Sequence, residues 1–209
     1  MDRVGGAYAD AQREFFCELA SQYDADDVRR VGWGSRQSQE SRFRVLAEIG
    51  DLRHASILDV GCGVGDLYGY LLASGFSGRY AGYDLLPDNA AAAENRYQQE
   101  IFFVGDPLAD GASQSFDYVF ASGLFWLPVE RWAHVVADML RRMYVICRVG
   151  VATNFLSALA PVQQPGSYYA DPGVVLGLCR SLSTAFSVRH DYRDNDFAVY
   201  VYKRETDRA

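Results

Sequence analysis

Lysine is almost missing from this chain. Lys203 is the only one; the other basic residues are arginines scattered along the sequence, and the formal net charge is −7. No basic stripe tracks a phosphate backbone, so a nucleic-acid partner is not expected. Histidine is sparse too: His54, His134 and His190 stand far apart, and no metal-ligand spacing appears. Cys17, Cys62, Cys147 and Cys179 form no C-x-x-C pair. Cys62 falls in a glycine-rich turn, and the other three read as small buried hydrophobes. No apolar run approaches the roughly 18 residues of a membrane span. Met1 to Gly6 hold no signal-peptide core. A cytoplasmic protein with no membrane partner is expected, and the oligomeric state is open.

What the chain does have is a short apolar run that breaks into glycines. Ile57-Leu58-Asp59-Val60 reads as a buried parallel strand. Gly61, Gly63 and Gly65 follow at alternate positions, and helical spacing resumes at Leu67. Strand, glycine turn and helix open a nucleotide-binding βα unit. Glycine lets the backbone approach a ligand with no Cβ in the way, and the helix start behind it offers unpaired N–H groups. The spacing is not the dinucleotide pattern G-x-G-x-x-G, because Asp66 stands where its third glycine would fall. An anionic pyrophosphate would not favour an acid at that helix start, whereas a cationic ligand would tolerate it.

Further along, Arg79 to Asp84 reads as a second strand ending on an acid about twenty residues past the glycines, placed to accept hydrogen bonds from ribose hydroxyls. Leu85 and Leu86 can pack on an adenine face, and Pro87 starts a helix through about Gln99. Ile101 to Val104 and Phe116 to Gly123 read as strands, Pro128 to Cys147 as a helix, and Val149 to Phe155 as a fifth strand. Asp171-Pro172 caps a helix to Leu182. Phe186 to Tyr192 and Phe197 to Tyr202 form a terminal hairpin around Arg193-Asp194-Asn195. Before the first strand, residues 7 to 23 and roughly 36 to 50 read as helices, with Ser35 the N-cap of the second.

Asp59-x-Gly61-x-Gly63-x-Gly65 after a strand resembles the first motif of class I S-adenosylmethionine (SAM) dependent methyltransferases. The likeness extends over roughly residues 50 to 203, with motif matches at four strand ends. It implies an α/β fold: a single Rossmann-like domain over 1–209, with a mostly parallel seven-stranded sheet, one antiparallel strand from the C-terminal hairpin, and helices on both faces. Residues 1–50 would form a helical lid over a 51–209 core. The implied cofactor is SAM. Asp59, Gly61, Cys62, Gly63 and Gly65 would meet it at the turn, and Asp84 and Leu85 at the second strand. Asp106 beside Pro107 would receive the adenine amino group, and Ala121 to Leu124, with Ser122 and Gly123, would line the cofactor. From the lid, Trp33, Gln39 and Arg42 are candidates. Gln39 and Arg42 are three apart on one helix, and Arg42 could hold the methionine carboxylate.

The expected reaction is in-line transfer of the methyl to an acceptor, most simply a small molecule. Neither an Asn/Asp-Pro-Pro-aromatic run after the fourth strand nor an acidic triad for magnesium is recognisable. On the acceptor side, His190, Tyr168 and Tyr169 are candidate catalytic groups, because their segments should reach the carboxyl edge of the sheet. Two rivals stay open. One is a catalytically silent SAM-binding module. The other is a nicotinamide-dependent oxidoreductase, which Asp66 and the lack of a Tyr-x-x-x-Lys pair argue against.

Overall fold

In the computed structural model, residues 3–24, 26–108 and 116–204 are described. The expected domain span of 1–209 reaches beyond them at both ends, at residue 25 and over 109–115. Helix α1 (Arg3–Gln22) leads through a 3-10 turn (Val28–Val31) to α2 (Arg36–Ala47). Strands β1 (Ser56–Val60), β2 (Arg79–Asp84) and β3 (Phe102–Val104) alternate with α3 (Asp66–Ala73) and α4 (Pro87–Tyr97). Then come β4 (Phe116–Ala121), α5 (Trp132–Ile146), β5 (Cys147–Leu156), α6 (Pro172–Leu182), β6 (Phe186–Arg193) and β7 (Asp196–Tyr202).

The seven strands lie in the order β3-β2-β1-β4-β5-β7-β6. All adjacent pairs from β3 to β5 are parallel, while β7 runs antiparallel to both β5 and β6. The seven-stranded, mostly parallel sheet anticipated from the sequence is therefore the one observed. Strand β1 is buried along its whole length because both sheet faces are covered. Leu58 and Val60 pack with Val136, Leu140 and Met143 of α5. Ile57 packs with Leu46 of α2 and with Leu67 and Leu71 of α3 on the opposite face. The chain runs outward from β1 to β3 on one side and from β4 on the other. A crevice therefore opens between the carboxyl ends of β1 and β4, the place where open α/β sheets bind ligands.

Several boundaries differ from the sequence reading for local reasons. Helix α5 starts at Trp132 rather than Pro128, because Arg131 before it is left-handed with φ 57°. Helix α4 stops at Tyr97, where Gln98 turns left-handed at φ 54° and donates its N–H to Glu94. Helix α2 ends at Ala47 rather than near residue 50, and Ile49 just beyond it is buried. Cys147 and Cys179 are buried as expected, but Cys17 is exposed: it lies on the solvent side of α1, away from Phe15 and Phe16. No helix among the described residues is long and apolar enough to cross a membrane.

Two glycines test this architecture in opposite directions. Gly65, at φ +80°, would place a Cβ 2.8 Å from Tyr97 and 3.1 Å from Phe102. Gly65→Ala should cost about 1–3 kcal/mol, since it combines strain with overpacking. Gly177 lies exposed inside α6 with open space around it. Gly177→Ala should stabilise by about 0.4–1 kcal/mol. Urea unfolding midpoints of the two variants falling on the same side of the wild type would contradict this placement.

Candidate functional site

The glycine turn is held by the strand beside it. The N–H groups of Gly61 and Cys62 both donate to the Tyr83 carbonyl, at 2.8 and 3.0 Å. Gly63 donates its N–H to Asp84 Oδ2 at 2.9 Å. Asp84 Oδ1 accepts from the Leu86 N–H at 2.9 Å and from Asn89 Nδ2 at 3.3 Å. A carboxylate offers about four acceptor positions, so one on Oδ2 remains for a ligand hydroxyl. Burial raises the Asp84 carboxyl above its ordinary value, and these hydrogen bonds pull it part of the way back.

A first cavity opens above the turn and encloses about 700 Å³, part of it open to solvent. Its walls bring together most of the residues expected at the cofactor: Trp33, Gln39, Asp59, Gly61, Cys62, Gly63, Asp84, Leu85, Ser122 and Gly123. Gly65 sits behind them at the start of α3, where it packs against Tyr97 and Phe102. Asp59 Oδ2 accepts from the buried Tyr80 hydroxyl at 2.6 Å. Burial pushes the Asp59 carboxyl up to about 7; the Tyr80 bond opposes the rise and the nearby Asp84 carboxylate adds to it. Burial also lifts the Cys62 thiol well above its usual range.

Helix α1 closes the first cavity with Gln12, Arg13 and Phe16. No sequence pattern marks these three for a site; Gln12 in particular reads as an ordinary polar helix residue. In the fold, Gln12 Nε2 and the Tyr8 hydroxyl both donate to the Leu124 carbonyl, the former at 3.0 Å. Asp66, also unassigned from sequence, lines the cavity too. It accepts from Arg96 Nη1 at 2.8 Å and from Gln39 Nε2 at 2.9 Å. That bond orients the Gln39 amide, leaving Gln39 Oε1 buried with no hydrogen-bond partner among the described residues. Ser122 Oγ is likewise buried and unpartnered.

Asp106 and Pro107 line a third cavity, which shares Gly61, Leu85, Leu124, Gln12 and Arg13 with the first. Asp106 Oδ1 accepts from the Leu108 N–H at 2.8 Å.

A second cavity of about 910 Å³, again partly open, shares Val31, Trp33 and Gly123 with the first. Gly123 has φ +67°, and a Cβ there would come within 2.6 Å of the Trp33 ring. Only glycine lets that ring stand between the two spaces.

Arg42 belongs to the second cavity, not the first. Three residues turn a helix through about 300°, so Gln39 and Arg42 diverge enough to serve different spaces. Arg42 Nε donates to Asp196 Oδ2 at 2.7 Å, and its guanidinium lies 5.0 Å from the centre of the Trp33 ring. The structure therefore sets Arg42 beside a different space from Gln39, the residue it was paired with in sequence.

Of the three acceptor-side candidates, Tyr169 lines the second cavity. Tyr168 instead stacks on Trp132 with ring centres 4.3 Å apart. His190 bonds Ser157 Oγ at 2.7 Å and stacks on Phe197. Neither Tyr168 nor His190 lines this cavity. The β6–β7 register shifts between Arg189 and Arg193, and His190 lies at the start of that irregular stretch, held by Ser157 and Phe197 rather than facing the cavity. Among the described residues, no cluster of acids, cysteines or histidines could hold a metal ion.

Comparison with known proteins agrees with this geometry. The family profile described as a methyltransferase domain matches residues 57–144, the segment carrying the glycine turn and Asp84. The chain is 35% identical over 160 residues to Rv1506c of Mycobacterium tuberculosis, whose name places it among methyltransferases. That match covers 71% of this chain and 93% of the relative. Magnesium protoporphyrin IX methyltransferase from Synechocystis PCC 6803, solved with bound SAM, superposes with a TM-score of 0.66 at 16% identity, covering 94% of this chain and 97% of that one. DhpI in complex with S-adenosylhomocysteine (SAH) superposes at 0.63 with 18% identity, covering 92% and 95%. At such identities the two superpositions speak for the fold.

The raised Asp59 carboxyl has a consequence for stability. Between the ordinary carboxylate value and about 7, the folded state holds a proton that the unfolded chain has released. This contribution is present at acid pH and lost as pH rises through that window. Asp59→Asn mimics the protonated form. Its stability relative to wild type, both without ligand, should increase from about pH 4.5 to about pH 7.5 in urea titrations. A difference that stays constant or moves the other way would mean that Asp59 is ionised throughout.

Proposed function

The chain belongs to the methyltransferase family, and on that premise we propose that it transfers a methyl group from SAM to a small-molecule acceptor. The observation that carries the reading is the pair of buried, unpartnered polar atoms in the first cavity, Gln39 Oε1 and Ser122 Oγ. Buried polar atoms in a native protein are nearly always paired, so a ligand that completes them is expected. Gln39 Oε1 is an acceptor, suited to the ammonium of the methionine end. Asp84 Oδ2 keeps one acceptor position for a ribose hydroxyl. Leu85 and Leu86 offer an apolar face to the adenine, with Asp106 and Pro107 beyond them in the adjoining third cavity. Asp59, Gly61, Cys62 and Gly63 form the floor between these groups, and Gly123 and Trp33 stand at the methyl end.

When bound, SAM supplies a methyl group on a positively charged sulfur that is open to in-line attack. The protein's part is to hold the acceptor in line and exclude water, which can supply about 7–11 kcal/mol. Trp33 and Gly123 separate the first and second cavities, and the acceptor occupies the second. In this reading residues 1–50 are a lid and 51–209 the core of one domain. Residues Gln12, Arg13 and Phe16 seal the cofactor side. The protein would work in the cytoplasm without a nucleic-acid partner, in keeping with its net charge of −7 and its single lysine.

Calorimetry tests the reading. SAM and SAH should bind and NADH should not. Asp84→Ala should weaken SAM at least about tenfold, because a hydrogen bond to a charged group is worth about 1.5–3 kcal/mol. NADH binding in place of SAM would overturn the whole reading. A folded Asp84→Ala protein with unchanged SAM affinity would remove Asp84 from the ribose site.

A further inference from the structure

The second cavity has walls and a floor of different character. Its walls are aromatic: Trp33, Phe125, Trp126, Phe155 and Tyr169. On its floor lie Arg42, Asn154 and Asp196, each at most 3% exposed. The hydrogen bonding of that floor is nearly complete. Asp196 Oδ1 accepts from the Tyr192 hydroxyl and from Asn154 Nδ2 at 3.2 Å. Asp196 Oδ2 accepts from Arg42 Nε at 2.7 Å and from Asn154 Nδ2 at 3.1 Å. Its roughly four acceptor positions are therefore filled. Asn154 Oδ1 in turn accepts from the Gly123 N–H at 2.9 Å.

Arg42 is the exception. Its Nη1 donates to Ser38, to the carbonyl at 3.0 Å and to Oγ at 2.6 Å. Its Nη2 makes no hydrogen bond among the described residues, although the side chain is only 4% exposed and borders the cavity. A buried guanidinium edge with unspent donors is a preformed seat for an oxygen anion. Asp196 balances the positive charge, so the seat offers direction without a large net field.

The cavity also lacks a group that could take a proton. Among the described residues lining it, the ionisable ones are Arg42, Asp196 and Tyr169. Asp196 is filled. The Tyr169 oxygen accepts from the Gln164 N–H at 2.8 Å, which leaves the hydroxyl a donor. An ammonium or an alcohol would have to shed a proton here with nothing placed to receive it. A carboxylic acid has already lost its proton near neutral pH.

We propose that the acceptor is a flat, largely apolar carboxylic acid, seated with one carboxylate oxygen on Arg42 Nη2 and its body between the aromatic walls, and that the product is its methyl ester. This rests on the methyl-transfer reading above. A carboxylate oxygen supplies the electron pair of the new O–CH₃ bond, the pair of the broken S–CH₃ bond stays on the sulfur, and no proton is released. A carboxylate and a sulfonium become two neutral products. The charge therefore shrinks on the way to the transition state, and a water-poor aromatic chamber favours that change more than water does.

The test uses 1-naphthoic and cinnamic acids, with their primary amides as isosteres. By calorimetry on the SAH-saturated protein, the acids should bind at least about tenfold tighter than the amides, the worth of one charged hydrogen bond. Arg42→Lys, which keeps the charge but loses the fork, should bring that ratio towards one. With tritium-labelled methyl SAM, the acids should acquire label that alkali releases as volatile methanol. The inference is overturned if acids bind no tighter than amides, if neither binds, if bound acids gain no label, or if the label resists alkali. Failure of SAM itself to bind would instead sink the methyl-transfer reading, so the two failures are distinguishable. The wild-type acid-to-amide ratio decides the matter even if Arg42→Lys does not fold.

Discussion

The buried pair between Arg42 and Asp196 is the constraint on which the site's arrangement depends. It joins α2, near the start of the chain, to the first residue of β7, near its end, with side chains 4% and 1% exposed. Removing two charges from water is costly, and such a pair is rarely a net source of stability. Its effect is to fix position. Breaking one side would leave an uncompensated charge at a cost of about 3–5 kcal/mol, so α2 has little freedom to slide along the sheet. One turn away, Gln39 is thereby held against Asp66, and Trp33 is held over Gly123 under the cation–π contact with Arg42. A single buried contact thus sets a wall of both cavities.

The rest of the N-terminal segment is fastened more lightly. Arg30 reaches Asn89 at 3.3 Å, Arg96 reaches Asp26 at 2.8 Å, and Tyr8 and Gln12 share the Leu124 carbonyl. Asp26 is largely solvent-exposed, and exposed pairs of that kind contribute about 0–1 kcal/mol. Helix α1 also packs Phe15 and Phe16 edge-on against Trp126, which lines the second cavity, while Phe16 itself lines the first. Among the described residues, helix α1 is thus held to the rest of the fold by fewer charged contacts than α2. The helix that covers the first cavity therefore also packs against a wall of the second.

The sequence made the sheet legible because its signals are local. Apolar runs such as Ile57 to Val60 suit a strand covered on both faces, and alternate glycines permit the positive-φ turn that follows it. Asp84 was legible for the same reason: distance along the chain from the glycine turn specifies its place in a βα unit. Arg42 was not. Its role depends on Asp196, 154 positions away, and no local pattern records such a partner. The same applies to Gln12, whose acceptor is a backbone carbonyl in another element. His190 was placed from sequence by where its strand should end, and its contacts with Ser157, distant in sequence, and with Phe197 across the hairpin have no local signature either. The late start of α5 belongs with it, because a left-handed Arg131 has no signature that composition would reveal.

Asp66 shows how a sound conclusion can rest on an incomplete reason. From sequence, its charge at the start of α3 argues against a pyrophosphate. In the fold that charge is already answered, with Arg96 on one oxygen and the Gln39 amide on the other. The preference for a cationic ligand has a deeper source. Asp59 and Asp84 lie behind the glycine turn without a basic partner in any of their hydrogen bonds, and burial raises the carboxyl of each. A dinucleotide phosphate brought there would add negative charge to two carboxylates that already resist ionising. A sulfonium with an ammonium at its far end would do the opposite, letting both acids ionise at lower cost. Selectivity therefore follows from where the acids are buried, and Asp66 acts mainly by orienting Gln39 so that its carbonyl oxygen faces the space the ligand needs.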